Sequence, residues 1–179
     1  MVSSKYYNNS RVKILVLEKE DPSASSPEHV LEEISKFERE YEFEENDEWW
    51  LVIDVDRWGE KKLKQVASDC LRKNYHLAVS NPCFEIWLLL HLKPLDEYSP
   101  SVLEEFSENK KTGTRNRIDL EILSILGEFN KSDLKVEHFL PELKEAIQRA
   151  KKLDTDTDLR WPNDLGSRVY RLAESIINK

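Results

Sequence analysis

A chain of 179 residues, 39% apolar and 35% charged, can bury one sizeable core and is read as a single globular unit. Its net charge of −8 excludes a protein that coats nucleic acid through bulk electrostatics, so any contact with phosphates has to come from a local basic patch. Cys70 and Cys83 lack metal-ligand spacing, which argues against a disulfide framework or a Cys/His zinc site and for core thiols in a reducing compartment. The apolar stretch near the N-terminus is too short for a secretory or membrane-spanning segment, and the expectation is a cytoplasmic protein with no membrane partner.

Along the chain, Val12 to Leu17 is a short β-rich run, and the Pro/Ser linker DPSASSP then leads to a helix start with Pro27 in its first turn. Val30, Leu31, Ile34, Phe37 and Tyr41 recur at helical spacing and predict one inward stripe. The acidic stretch EFEENDE gives way to Trp49 to Val55, whose continuous apolar character predicts a central strand covered on both faces. Leu63, Val66, Ala67, Cys70 and Leu71 predict a second amphipathic helix, followed by a strand from His76 to Ser80 and a turn at Asn81-Pro82 that opens a third helix. Alternating strands and helices imply an α/β core with parallel pairing and ligands beyond the carboxyl ends of the strands, where Asp54 and Asp56 fall.

Beyond residue 95 only helical patterns recur, at 100–108, from Ile118 to Phe129, from Glu137 to Leu153, and at 164–177. The expected division is an α/β core over 1–95 and a helical extension over 96–179, packed as one unit. The connection at 109–117, NKKTGTRNR, is the most basic stretch of the chain. No period of 20–50 residues repeats and no low-complexity tract is present.

Residues two apart on a strand share a face, so Asp54 and Asp56 can converge where strand meets loop and offer hard oxygen ligands to Mg²⁺ or Mn²⁺. A cation there suits phosphodiester cleavage. The competing reading makes Asp56 a turn cap and Asp54 a solvated strand end. Glu85 lies at a helix start, which the helix dipole favours by itself, yet its neighbours Phe84, Ile86, Trp87 and Leu88 are apolar and predict a semi-buried carboxylate in need of a partner. His91, six residues on, does not share its face and reads as structural.

Lys110, Lys111, Arg115 and Arg117, separated by Thr112, Gly113 and Thr114, can contact phosphates or form an ordinary solvated loop, and Lys131 is an isolated further candidate. The motif GxxxxGK[ST] occurs nowhere, so any ATPase has to be another protein. No Ser/His/Asp set is assignable, and Trp49, Trp50, Trp58 and Trp87 read as core rather than as base-stacking surfaces.

The segments WLVIDVDRWG, AVSNPCFEIWLLLHL, FNKSDL, AIQRAKKLD and WPNDLGSRVYRL, running in that order from about residue 11 to 177, resemble the RloB family of phage-defence and restriction-linked loci. The resemblance implies a Toprim-like parallel sheet with flanking helices plus a C-terminal helical region, and a metal-dependent nuclease role in abortive infection. It also implies a partner ATPase of the RloA or OLD-like kind. Asp54 and Asp56 match the Toprim metal pair, and Asn81, Glu85 and Lys131 match the family's polar positions. The chain departs from the pattern at its start. Toprim-like proteins carry an early glutamate after their first strand, here in an EGxxTE-like context, whereas the run at 12–17 corresponds to the family's second strand and Glu18 and Glu20 lack that context. Ser167 stands where the family more often has Thr.

Two functions follow as expectations. One is a nuclease on DNA or RNA with Asp54 and Asp56 on the metal, Glu85 as ligand or base, and Lys131 or the 110–117 patch on phosphate. The other is a catalytically degenerate subunit that docks on the ATPase; self-association is compatible with either.

Overall fold

The structure is a computed structural model that describes residues 26–40, 44–55 and 59–178, together with residue 14. The run at 12–17, apart from Ile14, and Glu18, Glu20, Tyr41, Asp56 and Trp58 lie outside the described residues.

Helix α1 (Pro27–Glu40) begins as its Pro and acidic first turn predict, and Ser26 accepts from the backbone N–H groups of His29 and Val30. Strand β1 (Trp50–Asp54) is joined by α2 (Glu60–Lys73) to β2 (His76–Asn81), and the two strands pair in parallel with Asp54 opposite Ser80. The crossover that parallel pairing requires is α2 itself, closed by Asn74 in the left-handed conformation at φ 58°. Leu51, Ile53, Leu77 and Val79 face α1 and α2, where Leu31, Ile34, Leu63, Val66 and Cys70 form one core. Ala78 faces the second and larger core, built on α3 (Glu85–Leu92).

The remaining helices are α4 (Pro100–Glu108), α5 (Arg117–Leu126), α6 (Leu143–Leu153) and α7 (Val169–Ile177), with short 3-10 turns at Leu95–Glu97, Val136–His138 and Leu140–Glu142. All four sit where helical spacing predicts them, although the pattern from Glu137 is broken into turns before α6 and the last helix starts five residues late. The second half also holds strands. The basic connection folds as a hairpin of β3 (Lys111–Thr112) and β4 (Arg115–Asn116), and β5 (Gly166–Ser167) joins the main sheet. No helix among the described residues is long and apolar enough to cross a membrane.

The fold is therefore mixed α/β, and the large parallel sheet expected of a Toprim-like core is not present among the described residues. The main sheet has three strands in the order β1-β2-β5, with β5 antiparallel to β2. The physical reason is that the returning C-terminal segment occupies the second edge of β2. Ser80 and Ser167 share a buried hydroxyl hydrogen bond of 2.8 Å, and the Arg168 N–H donates to the Val79 carbonyl at 2.9 Å.

A buried ion pair locks that return. The guanidinium of Arg168, 2% exposed, reaches both oxygens of Asp154 at 2.8–3.1 Å and also donates to the carbonyls of Asp156 and Leu159. Asp154 accepts further bonds from the Tyr170 hydroxyl at 2.8 Å and from Arg171 at 3.0 Å. Burial by itself raises the Asp154 pKa, but these partners outweigh it and hold the carboxyl below its ordinary range. Breaking one side of such a pair leaves a charge buried without compensation. Asp154→Asn is therefore expected to lower the unfolding free energy by about 3–5 kcal/mol in urea denaturation, with an unchanged m-value.

Candidate functional site

The candidate site lies at the carboxyl ends of β1 and β2. Beyond the Asp54–Ser80 pair, the Val55 N–H donates to the Ser80 carbonyl at 3.0 Å and the chain turns at a cis Asn81–Pro82 bond. The Asn81 amide donates to the carbonyls of Pro162 and Asn163 at 3.0 and 2.8 Å, which ties this turn to the WPND segment. Asn81 thus holds two segments together through its side chain.

Cys83 follows, 2% exposed, and Glu85 opens α3 two residues later. Burial pushes the Cys83 thiol far above its ordinary pKa, and the charges of Glu85 and Asp54 push it further. Both carboxylates therefore lie within electrostatic reach of one thiol, one coming from the end of a strand and the other from the start of a helix. The same sulfur accepts from the Asn109 amide at 3.2 Å, with the Asn116 amide more distant at 4.0 Å. These two asparagines bracket the basic hairpin, which is thereby anchored beside the carboxylates.

Glu85 and Lys131 meet. The ammonium of Lys131 lies 2.6 Å from a Glu85 oxygen and 2.9 Å from Oδ1 of Asp119. Burial opposes the charge on each partner. For Glu85 it is outweighed by the Cys83 S–H and by Lys131, which hold the carboxyl below its usual range. For Lys131 it is outweighed by the two carboxylates, which hold the ammonium above its own. Asp119 is the residue that sequence reasoning missed. It belongs to a capping box in which Asn116 accepts from the Asp119 N–H at 2.8 Å and Asp119 Oδ2 accepts from the Asn116 N–H at 3.2 Å. The pattern N-x-x-D was readable; the ammonium arriving from a loop twelve residues on was not.

The basic candidates are largely matched by local partners. Lys110 pairs with Glu108 at 2.9 Å, Arg115 donates to the Phe129 carbonyl at 3.0 Å, and Arg117 contacts Glu105 at 2.7 Å and Glu121 at 3.1 Å. Lys111 is exposed on the hairpin and makes no ion pair among the described residues. Gly113, at φ 65°, supplies the left-handed residue that the tight turn requires.

The chain matches the RloB-like protein family over residues 3–176, nearly its whole length. It is a member of the RloB-like family. No curated protein and no solved structure matches it.

Among the described residues of this RloB-like chain, no three His, Cys, Asp or Glu side chains gather to hold a metal. Mg²⁺ ordinarily takes only one or two carboxylates and completes its shell with water and phosphate oxygens. The half-buried Asp54 carboxylate at the strand end fits that chemistry in kind, and Asp56 follows it by two positions.

His91 belongs to the core, as its position off the Glu85 face predicts. Its Nδ1 lies 2.9 Å from the Trp87 carbonyl, and its ring meets those of Trp87 and Phe139 edge-on at 4.6 and 5.9 Å. Burial, assisted by Arg149 and opposed by the Trp87 carbonyl, brings its pKa from 6.5 down to about 4. A depressed pKa means that the unfolded chain binds the proton first as pH falls. The stabilisation from neutral His91 is complete above pH 6.5 and is lost between 6.5 and about 4. Across that window His91→Phe is expected to remove a slope amounting to about 3 kcal/mol, read by urea unfolding at both pH values.

Proposed function

We propose that this RloB-like chain is a Toprim-type, Mg²⁺- or Mn²⁺-dependent nuclease of antiviral abortive-infection defence, acting in the cytoplasm on phosphodiesters of DNA or RNA. One observation carries the reading: Asp54 at the end of β1, opposite Ser80, and Glu85 at the start of the helix that follows β2 stand at one end of the sheet, and the asparagines at both ends of a Lys/Arg hairpin approach Cys83 beside them. Carboxylates with a basic strip beside them are what a phosphodiester substrate and a hard cation require together.

In this reading Asp54 and Asp56 hold the cation, with Glu85 as a further ligand or base. Bound there, the ion supplies a Lewis acid that neutralises a phosphoryl oxygen and activates water. The chain's own residues do the positioning. Asn81, fixed on the Pro162 and Asn163 carbonyls, holds the turn that sets Glu85 in place. Lys110 and Lys111, exposed on the hairpin, meet the phosphate backbone without reading its sequence, and Arg115 and Arg117 stiffen the hairpin base through Phe129, Glu105 and Glu121.

A second reading, a catalytically degenerate subunit docked on an RloA/OLD-like ATPase, is favoured by a different observation. Glu85 is already ion-paired to Lys131, and three of the four basic candidates have partners within the chain. The readings separate in one experiment. Asp54→Asn is expected to reduce Mn²⁺-dependent cleavage of plasmid DNA or structured RNA by about 10²-fold or more while leaving the circular dichroism spectrum unchanged. Cleavage undiminished in that variant defeats the nuclease proposal; no cleavage by the parent chain, with stable co-elution with the ATPase, establishes the docking alternative.

A further inference from the structure

Lys131 occupies an unusual place for a residue expected on phosphate. Its ammonium sits between two carboxylates from different helices, Glu85 at the start of α3 and Asp119 in the first turn of α5. Those side chains are 12% and 4% exposed, whereas Lys131 is 45% exposed and enters from the 128–135 loop. Asp119 Oδ1 is buried, and among the described residues its partner is the ammonium 2.9 Å away, which meets it as an ion pair. Glu85 and Asp119 thus form a rigid, two-carboxylate seat, and the cation in it is tethered by a flexible stem.

Lys131 cannot leave that seat alone. Its departure would strand two nearly buried carboxylates without the cation they share, with Asp54 close by at the end of β1. Losing the ammonium leaves the nearly buried carboxylates uncompensated, a larger loss than one exposed phosphate contact returns. The ammonium is free to move only when another cation takes its seat.

We propose that Lys131 is an exchangeable internal cation: a divalent cation entering between Glu85 and Asp119 displaces its ammonium, which then becomes available to a nucleic-acid phosphate. This rests on the metal-dependent reading above and adds a coupling between cation entry and substrate contact. Each charge keeps a partner throughout. The carboxylates pass from an ammonium to an ion with hard-oxygen preference, and the lysine passes from carboxylate to phosphate.

The test needs neither turnover nor nucleic acid. In the full-length chain, acylation of lysine amines by an N-hydroxysuccinimide acetate is followed by mass spectrometry with and without saturating Mn²⁺, using the exposed Lys144 as internal reference. Labelling of Lys131 is expected to rise several-fold on Mn²⁺ addition relative to Lys144; unchanged or slower labelling overturns the proposal. By titration calorimetry, Lys131→Met is expected to bind Mn²⁺ about tenfold more tightly than the parent, and the added Asp119→Asn change to erase that gain. Equal or weaker binding by Lys131→Met, a gain that survives Asp119→Asn, or no Mn²⁺ binding in any form overturns it equally. The labelling arm uses the unsubstituted chain, so a misfolded variant leaves the question decidable. Cleavage lost in Asp54→Asn with Lys131 labelling insensitive to Mn²⁺ retains the nuclease and rejects the exchange, and the converse pattern rejects the nuclease alone.

Discussion

The structure depends on covering α3. Its eight residues, EIWLLLHL, are apolar on every side, and six of them from Ile86 to His91 are buried. A helix of this kind has no face to offer water and must be enclosed all round. Contacts with α5, α6, the 3-10 turn at Leu140–Glu142 and the β2–β5 side of the sheet supply that enclosure. Each large side chain so buried contributes about 1.5–3 kcal/mol relative to exposure. Glu85, the first residue of this helix, therefore has little freedom, and its carboxylate faces whatever the surrounding elements bring to that end.

What they bring is an arrangement of charges that is costly unless complete. Asp54 and Glu85 both act on Cys83, and Glu85 shares one ammonium with Asp119. Two like charges about 4 Å apart repel by several kcal/mol at the effective dielectric of a protein surface, so the carboxylates at this end require cationic company to remain ionised. Among the described residues, the cation that Glu85 and Asp119 share is Lys131. The polar anchors around the site, Asn81 on the WPND carbonyls and Asn109 and Asn116 against the Cys83 sulfur, fix the backbone that presents these charges.

Much of the fold was legible because its signals are local. Leu63, Val66, Ala67 and Cys70 repeat at helical spacing and α2 follows; the apolar run from Trp49 to Val55 yields the five-residue β1, but among the described residues it is an edge strand with Val52 exposed, not the central strand covered on both faces that its apolar character predicts. Strands β3, β4 and β5 were not legible, since two residues carry no alternation to read. The antiparallel seat of β5 depends on the Ser80–Ser167 contact and on the Asp154–Arg168 pair, and no local pattern announces the first, which spans 87 positions. At the site, Asp54, Glu85 and Lys131 were readable as isolated polar residues in apolar or loop surroundings. Their pairing was not, because the meeting of Glu85 with Lys131 is fixed by how α5 packs on α3. Asp56 lies outside the described residues, so the strand-end pair is seen through Asp54 alone.

The distribution of exposed apolar surface bears on how the chain engages a partner. A stable protein interface generally carries a desolvated apolar centre, and an unpartnered docking face would show as a contiguous patch. Among the described residues, the exposed large hydrophobics are Ile14, Val52, Leu71 and Ile125, and the last three stand on different elements, β1, α2 and α5. Scattered residues of this kind need no explanation by function. By contrast, the polar contacts at the ends of β1 and β2 draw separate segments of the chain together, with Asn81 on the Pro162 and Asn163 carbonyls and Lys131 between Glu85 and Asp119. Stability does not require such a network, since well-packed apolar groups of similar volume are often neutral or better. Its arrangement at the strand ends, where open α/β sheets ordinarily receive their ligands, favours a site built to handle charge over a surface built to dock.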